Sequence, residues 1–115
     1  MKEIQIQKAI KDYLQILENQ GKLMFLRNQA GGYATKEGHY IKMGKKGSPD
    51  LLVFVEQEFQ VDTYYGTYLK TIALEVKSEK AKQSPSQIEW QDKFEGIGGQ
   101  YYVVRNVDDV IKILK

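Results

Sequence analysis

The 115 residues contain no cysteine, which excludes disulfides, zinc–thiolate centres and a cysteine nucleophile, and fits a reducing compartment. Histidine occurs once, as His39 within a glycine-rich stretch; without a second imidazole there is no zinc-ligand pattern, and His39 reads as a solvated loop residue. No apolar run approaches the roughly 18 residues of a membrane span. The opening Met1-Lys2-Glu3-Ile4-Gln5 lacks the apolar stretch of a signal peptide, so the expectation is a cytoplasmic chain with no membrane partner. There is no internal repeat, and the net charge of +2 is mild. What is present is an ordinary globular composition, 42% apolar and 28% charged, in a chain sized for one domain over residues 1–115. Binding and chemistry must therefore share one fold.

Ile6, Ile10, Tyr13, Leu14 and Leu17 recur at three- and four-residue steps, which predicts an amphipathic helix over 3–19 that Gly21 ends. Leu23-Met24-Phe25-Leu26-Arg27 follows as a strand, and residues 28–47, with five glycines, read as a long irregular loop. Asp50-Leu51-Leu52-Val53-Phe54-Val55 is a nearly unbroken apolar run, the pattern of a strand buried on both faces. Residues 56–67 alternate loosely around Tyr64-Tyr65-Gly66 as a hairpin excursion, and residues 71–77 form the next strand, antiparallel to the first. Ser84-Pro85-Ser86-Gln87 opens a second helix with an N-cap serine, a proline at the first helical position and a glutamine placed for a capping box. Gln87, Trp90, Phe94 and Ile97 lie on one face of it, and Trp90 reads as core. Gly98-Gly99 stop it, Tyr101 to Arg105 form a last strand, and Asn106 caps a final helix whose Asp108 and Asp109 suit the helix dipole. The order predicts an α/β domain with a central mixed β-sheet flanked by helices.

Two short elements carry the chemistry. Gly47-Ser48-Pro49-Asp50 leads into one apolar strand, and Glu75-Val76-Lys77 closes another. A Pro-Asp pair is common turn chemistry, and strand alternation places many Glu-x-Lys triplets on solvated faces. Together they are less ordinary. Ile72, Leu74 and Val76 make the second strand apolar, yet it sets an acid and a base side by side, and antiparallel pairing brings the start of the Asp50 strand to that same end. Two carboxylates can hold a hard divalent cation that keeps positions open for water and phosphate oxygen. A lysine can orient or deprotonate the water, or offset charge on the transition state. That trio is the equipment of phosphodiester hydrolysis.

The chain resembles the PD-(D/E)xK nucleases, and in detail their VRR-Nuc branch, which is similar to the Holliday-junction resolvases. The resemblance runs through Glu3-x-x-x-Gln7 with Tyr13-Leu14, Arg27-Asn28 ahead of glycines, Gly47-Ser48-Pro49-Asp50-Leu51, Glu75-Val76-Lys77, Ser84-Pro85-x-Gln87, and Gly98-Gly99 before Val103-Val104-Arg105. It implies a restriction-endonuclease-like core in which Asp50, Glu75 and the Val76 carbonyl are ligands of Mg2+ or Mn2+ and Lys77 is the catalytic lysine. It also implies that Gln87 completes the site from its helix and that Glu3 contributes from the first helix. Gln87 equally satisfies a capping box, and Glu3 equally suits a helix N-terminus. The Val-Arg-Arg element of the branch reads Val104-Arg105-Asn106 here, which keeps Arg105 as a phosphate contact and supplies no second arginine.

Four lysines (Lys36, Lys42, Lys45, Lys46) against one acid (Glu37) fall within residues 33–46. Lys42, Lys45 and Lys46, with Asn28 and Arg105, are candidate DNA contacts; a solvated lysine-bearing loop is the bland alternative. Tyr33, Tyr40, Tyr64 and Tyr65 could stack on exposed bases or pack against the domain. The leading expectation is a metal-dependent DNA endonuclease acting on branched DNA as a homodimer, since a two-fold axis would present two sites to a junction. A nuclease preferring flaps or plain duplex, a catalytically silent DNA-binding module of the same fold, and a structural dimer subunit are the alternatives.

Overall fold

The apolar stripe Ile6, Ile10, Leu14 forms because a helix returns the same face every three to four residues, and in the computed structural model all three are buried on α1 (Glu3–Asn19). The structure describes residues 1–28, 32–42 and 45–115, the side chains of 32, 33 and 40–42 excepted. Gln5 Oε1 accepts the Lys2 N–H at 2.9 Å at the start of α1. At its end Gly21 takes φ 76° and Lys22 N–H reaches back to the Leu17 carbonyl at 3.0 Å, a left-handed closure that glycine enters without steric cost.

Then follow β1 (Leu23–Arg27), β2 (Gly32–Ala34), β3 (Tyr40–Lys42), β4 (Leu51–Val61), β5 (Tyr64–Val76), α2 (Pro85–Gly96), β6 (Gln100–Val104) and α3 (Val107–Leu114). The main sheet has the order β1-β4-β5-β6. Its first three strands are antiparallel, and β6 joins β5 in parallel after the crossover through α2. The mixed α/β sheet with flanking helices is thus as expected.

Strand alternation divides the sheet into two unlike faces. Leu51, Val53, Ile72, Leu74, Val76 and Val104 pack with Ile6, Ile10 and Leu14 of α1 and Val110 of α3 in one apolar core. The opposite face carries Ala73, Glu75 and Tyr101 beneath α2, and Met24 and Leu26 of β1, at 63% and 56% exposure, are left open beside them.

Three expectations need correction. Residues 28–47 are not uniformly irregular: β2 and β3 pair antiparallel, Gly32 opposite Lys42, around a turn in which Gly38 takes φ 85° and Thr35 N–H bonds the His39 carbonyl at 2.7 Å. The excursion after Val55 does not turn at Tyr64-Tyr65-Gly66. Val61 pairs with Tyr64, so the reversal lies at Asp62-Thr63, where Asp62 takes the left-handed φ of 55° that aspartate tolerates. Trp90 is not core, because no residue of α2 is buried.

Because β1 pairs only with 51–55 and β6 only with 72–76, the β4–β5 ribbon continues past the sheet as a two-stranded arm. The described body measures 61 × 29 × 28 Å.

Candidate active site

Leu51 pairs with Leu74, so Asp50, just ahead of β4, lies beside the Glu75-Val76 end of β5. The Asp50 carboxylate (Oδ2) accepts the Val76 N–H at 2.8 Å. That amide has no ladder partner because β4 has ended, and Asp50 caps it as a strand would have done. The Val76 carbonyl leaves the strand on the same edge as its N–H, toward Asp50. The turn holding Asp50 is itself fixed: Asn28 N–H donates to the Asp50 carbonyl at 2.8 Å, and Asn28 Nδ2 donates to Ser48 Oγ and to the Pro49 carbonyl, each at 2.8 Å. Gly47 closes the turn against α2. It takes φ 83°, and a Cβ there would stand 2.2 Å from the Ser86 carbonyl oxygen, so only glycine lets the loop approach the helix this closely.

Glu75 is 2% exposed. Its Oε1 accepts from Gln87 Nε2 at 2.9 Å and faces Lys77 Nζ at 4.0 Å. Its Oε2 is buried without a hydrogen-bond partner. Gln87 also closes the capping box: its Oε1 accepts the Ser84 N–H at 2.8 Å while Ser84 Oγ accepts from the Gln87 N–H at 3.3 Å. Burial, and then the negative charge of Asp50, push the Glu75 carboxyl up to about 8, Lys77 opposing the shift. Asp50 is raised as well, chiefly by burial, with the Val76 amide working against it. Two abutting carboxylates in a dry site repel, and holding a proton between them is the response available without a cation.

Those observations test the fit to a metal. An orphaned carboxylate oxygen, a second carboxylate beside it, and an adjacent backbone carbonyl make an all-oxygen donor set suited to a hard divalent cation. Among the described residues no cluster of three acidic or imidazole side chains accompanies the pair, so the remaining ligands would be backbone, water and substrate oxygens. Glu3, exposed in the first turn of α1, is close enough for its charge to raise both Asp50 and Glu75. It does not join their hydrogen bonds.

The VRR-NUC domain model matches residues 5–108 of the sequence. The chain belongs to the VRR-NUC family. No curated protein and no solved structure matches it. Glu3 lies two residues ahead of the matched VRR-NUC span, whereas Asp50, Glu75, Val76, Lys77 and Gln87 all fall within it.

The remaining expected DNA-binding residues are dispersed. Lys45 and Lys46 are exposed on the turn before Asp50. Lys42 lies in β3, and its side chain is outside the described residues. Asn28 is occupied in holding the Asp50 turn. Arg105 Nη1 donates to the carbonyls of Ser78, Glu79 and Ala81 at 2.6, 3.3 and 2.8 Å, which pins the segment after Lys77. A further support went unread in the sequence: Gln83 Nε2 donates to Gln91 Oε1 at 2.9 Å and to the Tyr101 hydroxyl at 3.2 Å, joining α2 to β6 beside Glu75. Burial pushes the Tyr101 hydroxyl up to about 12, so it stays a neutral hydrogen-bonding group. Glutamines at these spacings carry no signature that distinguishes them from surface residues.

Proposed function

We propose that this VRR-NUC chain is a metal-dependent endonuclease that hydrolyses DNA phosphodiester bonds. The observation that carries the reading is the buried Glu75 carboxylate, one oxygen of which has no partner while Asp50 stands beside it and Lys77 in front. A silent binding module would gain nothing from so costly a burial. Asp50, Glu75 and the Val76 carbonyl would hold Mg2+ or Mn2+, and the cation would supply Lewis acidity toward a phosphate oxygen and make nearby water more acidic.

The chain's own residues do the rest. Gln87 holds Glu75 through Oε1 and so leaves Oε2 without a partner. The Val76 amide fixes Asp50. Lys77, with a side chain only 12% exposed, brings a desolvated positive charge to the same face, where it can steady an attacking water or offset charge growing on the phosphoryl oxygens. Exposed Lys45 and Lys46 extend positive charge from the site along the turn before Asp50.

The substrate reading is branched DNA, cut by a homodimer. The family resemblance to junction resolvases supports the first part. The second rests on the arm: Val61, Tyr64, Tyr65 and Leu69 are 62–77% exposed. The arm's acids, Glu56, Glu58 and Asp62, outnumber its one lysine, Lys70, a charge balance that repels phosphates and favours protein contact.

The test is cleavage of a labelled panel of four-way junction, flap, splayed and linear duplex DNA with Mg2+ or Mn2+ at stated salt, beside Asp50→Ala, Glu75→Ala and chelator controls. Cutting that persists in either folded variant at saturating metal would remove the metal assignment. Light scattering that finds a monomer at micromolar concentration, free and on junction DNA, would remove the dimer.

A further inference from the structure

Helix α2 covers its apolar residues only in part. Trp90 and Phe94 stack with centroids 4.9 Å apart and planes inclined by 29°; Trp90 also lies 6.1 Å from the Tyr101 ring and Phe94 lies against Gly99, and both are half-buried. They floor a groove of about 530 Å³ whose described walls include Lys45, Lys46, Ser86 and Lys93. That volume lies within the roughly 300–1,000 Å³ of small-ligand sites. Lys93 reaches Glu89 at 3.0 Å, but both side chains are more than two-thirds exposed, and a pair so solvated leaves the ammonium available to another anion. The groove therefore combines aromatic surface with three cationic side chains against one acid, Glu89.

Its position matters as much as its composition. Ser86 lines it, and the next residue, Gln87, bonds Glu75. Lys46 lines it, and the next residue, Gly47, touches the Ser86 carbonyl. The groove and the carboxylate site thus lie on either side of the same contact between loop and helix. A DNA strand whose phosphate sits at Asp50 and Glu75 could place a neighbouring nucleotide in the groove.

We infer that this groove is a subsite for one unpaired nucleotide flanking the scissile phosphate, the base against the Trp90–Phe94 pair and its phosphate on Lys45, Lys46 or Lys93. The inference rests on the nuclease reading and refines it. Aromatic surface accepts any base face, whereas a base inside a duplex offers none. The groove accordingly selects DNA with an unpaired nucleotide beside the cut over continuous duplex, without reading sequence. Unpaired nucleotides occur at splayed ends, flaps and gaps, so the subsite would favour those forms over continuous duplex and over a fully paired four-way junction.

Trp90 is the sole tryptophan, so the protein's tryptophan fluorescence comes from this groove. The experiment titrates Asp50→Ala protein, which keeps the groove and should not cut, with single-stranded, splayed and fully paired DNA in Mg2+. Saturable quenching is expected with the first two, at about tenfold or higher affinity than for paired duplex. Trp90→Leu, followed by anisotropy of a dye-labelled strand because the variant has no tryptophan, should lower affinity for the unpaired strand roughly 5- to 150-fold, the range for loss of one stacked base, and Trp90→Phe, measured the same way, should restore most of it. Equal quenching by paired duplex, or none by unpaired strands, overturns the subsite. So does a fluorescence change that follows protein concentration without DNA, which would seat a second copy in the groove. Should Trp90→Leu fail to fold, the unsubstituted tryptophan still decides. Parallel cleavage by the unmutated chain separates the two readings: cutting without quenching defeats the subsite alone, and quenching without cutting defeats the nuclease alone.

Discussion

Gln87 bridges Ser84 and Glu75, its Oε1 capping the helix amide at 2.8 Å and its Nε2 holding the carboxylate at 2.9 Å. One side chain therefore both starts α2 and aims the buried acid, and the two tasks should separate by substitution. Gln87→Glu can keep the bond to the Ser84 amide while presenting a like charge to Glu75; Gln87→Ala loses both bonds. The alanine variant keeps the Ser84 cap but loses the side-chain bonds of Gln87 and should lose on the order of 1 kcal/mol of stability, the usual net worth of a hydrogen bond, whereas the glutamate variant should lose metal affinity and turnover with less change in melting temperature. Melting curves beside metal titration check this, and equal behaviour of the two variants would contradict the dual role.

Glu75 gives the metal-free protein a definite pH dependence. Its carboxyl is ordinary in the unfolded chain and pushed up to about 8 in the fold, so between roughly pH 4.5 and 8 the folded state holds a proton that the unfolded state has released. Stability in chelator should therefore fall as pH rises through that window and level off above it. Glu75→Gln should remove the slope and stabilise the chelated protein at pH 8–9 by on the order of 1–4 kcal/mol, while abolishing cleavage. Saturating Mg2+ should flatten the wild-type slope, because the cation displaces the proton. Thermal melts from pH 5 to 9, with and without metal, test it; a wild-type melting temperature in chelator that rises toward pH 8 would oppose it.

Lys77 should matter to turnover more than to metal binding. Its ammonium would repel a cation held near Glu75 and would contribute where phosphoryl charge grows, so Lys77→Ala should bind Mg2+ at least as tightly and cut at least about a hundredfold more slowly, the scale of losing one preorganised electrostatic partner. Calorimetry alongside single-turnover kinetics separates the two effects. A lysine variant cutting at the parental rate would take Lys77 out of the mechanism.

Neutralising Lys42, Lys45 and Lys46 together should weaken DNA binding at low salt. The log–log salt dependence should become shallower by up to about 0.9 for each duplex phosphate that is no longer neutralised. An unchanged slope would return these lysines to a merely solvating role.

The juxtaposition of Asp50, Glu75 and Lys77 is legible in the sequence because it depends on two strong regularities. Alternation puts Glu75 and Lys77 on one face, and the apolar runs around residues 51–55 and 72–76 pair in the register that brings Asp50 to the end of β5. The arm is harder to delimit. Residues 56–69 bury no face, so nothing in their polarity fixes where a strand ends; the tyrosines suggest the turn, yet it is Asp62 that takes the left-handed conformation. Trp90 misleads for a related reason: Trp90, Phe94 and Ile97 make the apolar stripe of a core helix, but whether another layer covers a stripe is decided by the rest of the chain. Arg105 points inward because three carbonyls of residues 78–81 converge on it, a convergence that arises only once β6 lies beside β5.

The long arm also changes how the molecule travels. A 13.3 kDa chain of this length should spread over about 13 Å in radius of gyration if it were rounded, against the 16.0 Å found. Friction follows extension more closely than mass, so a single copy will tumble slowly and leave a sizing column early, at the volume of a heavier sphere. An apparent dimer on such a column would be compatible with one chain, and the copy number has to be weighed by scattering or sedimentation equilibrium rather than timed.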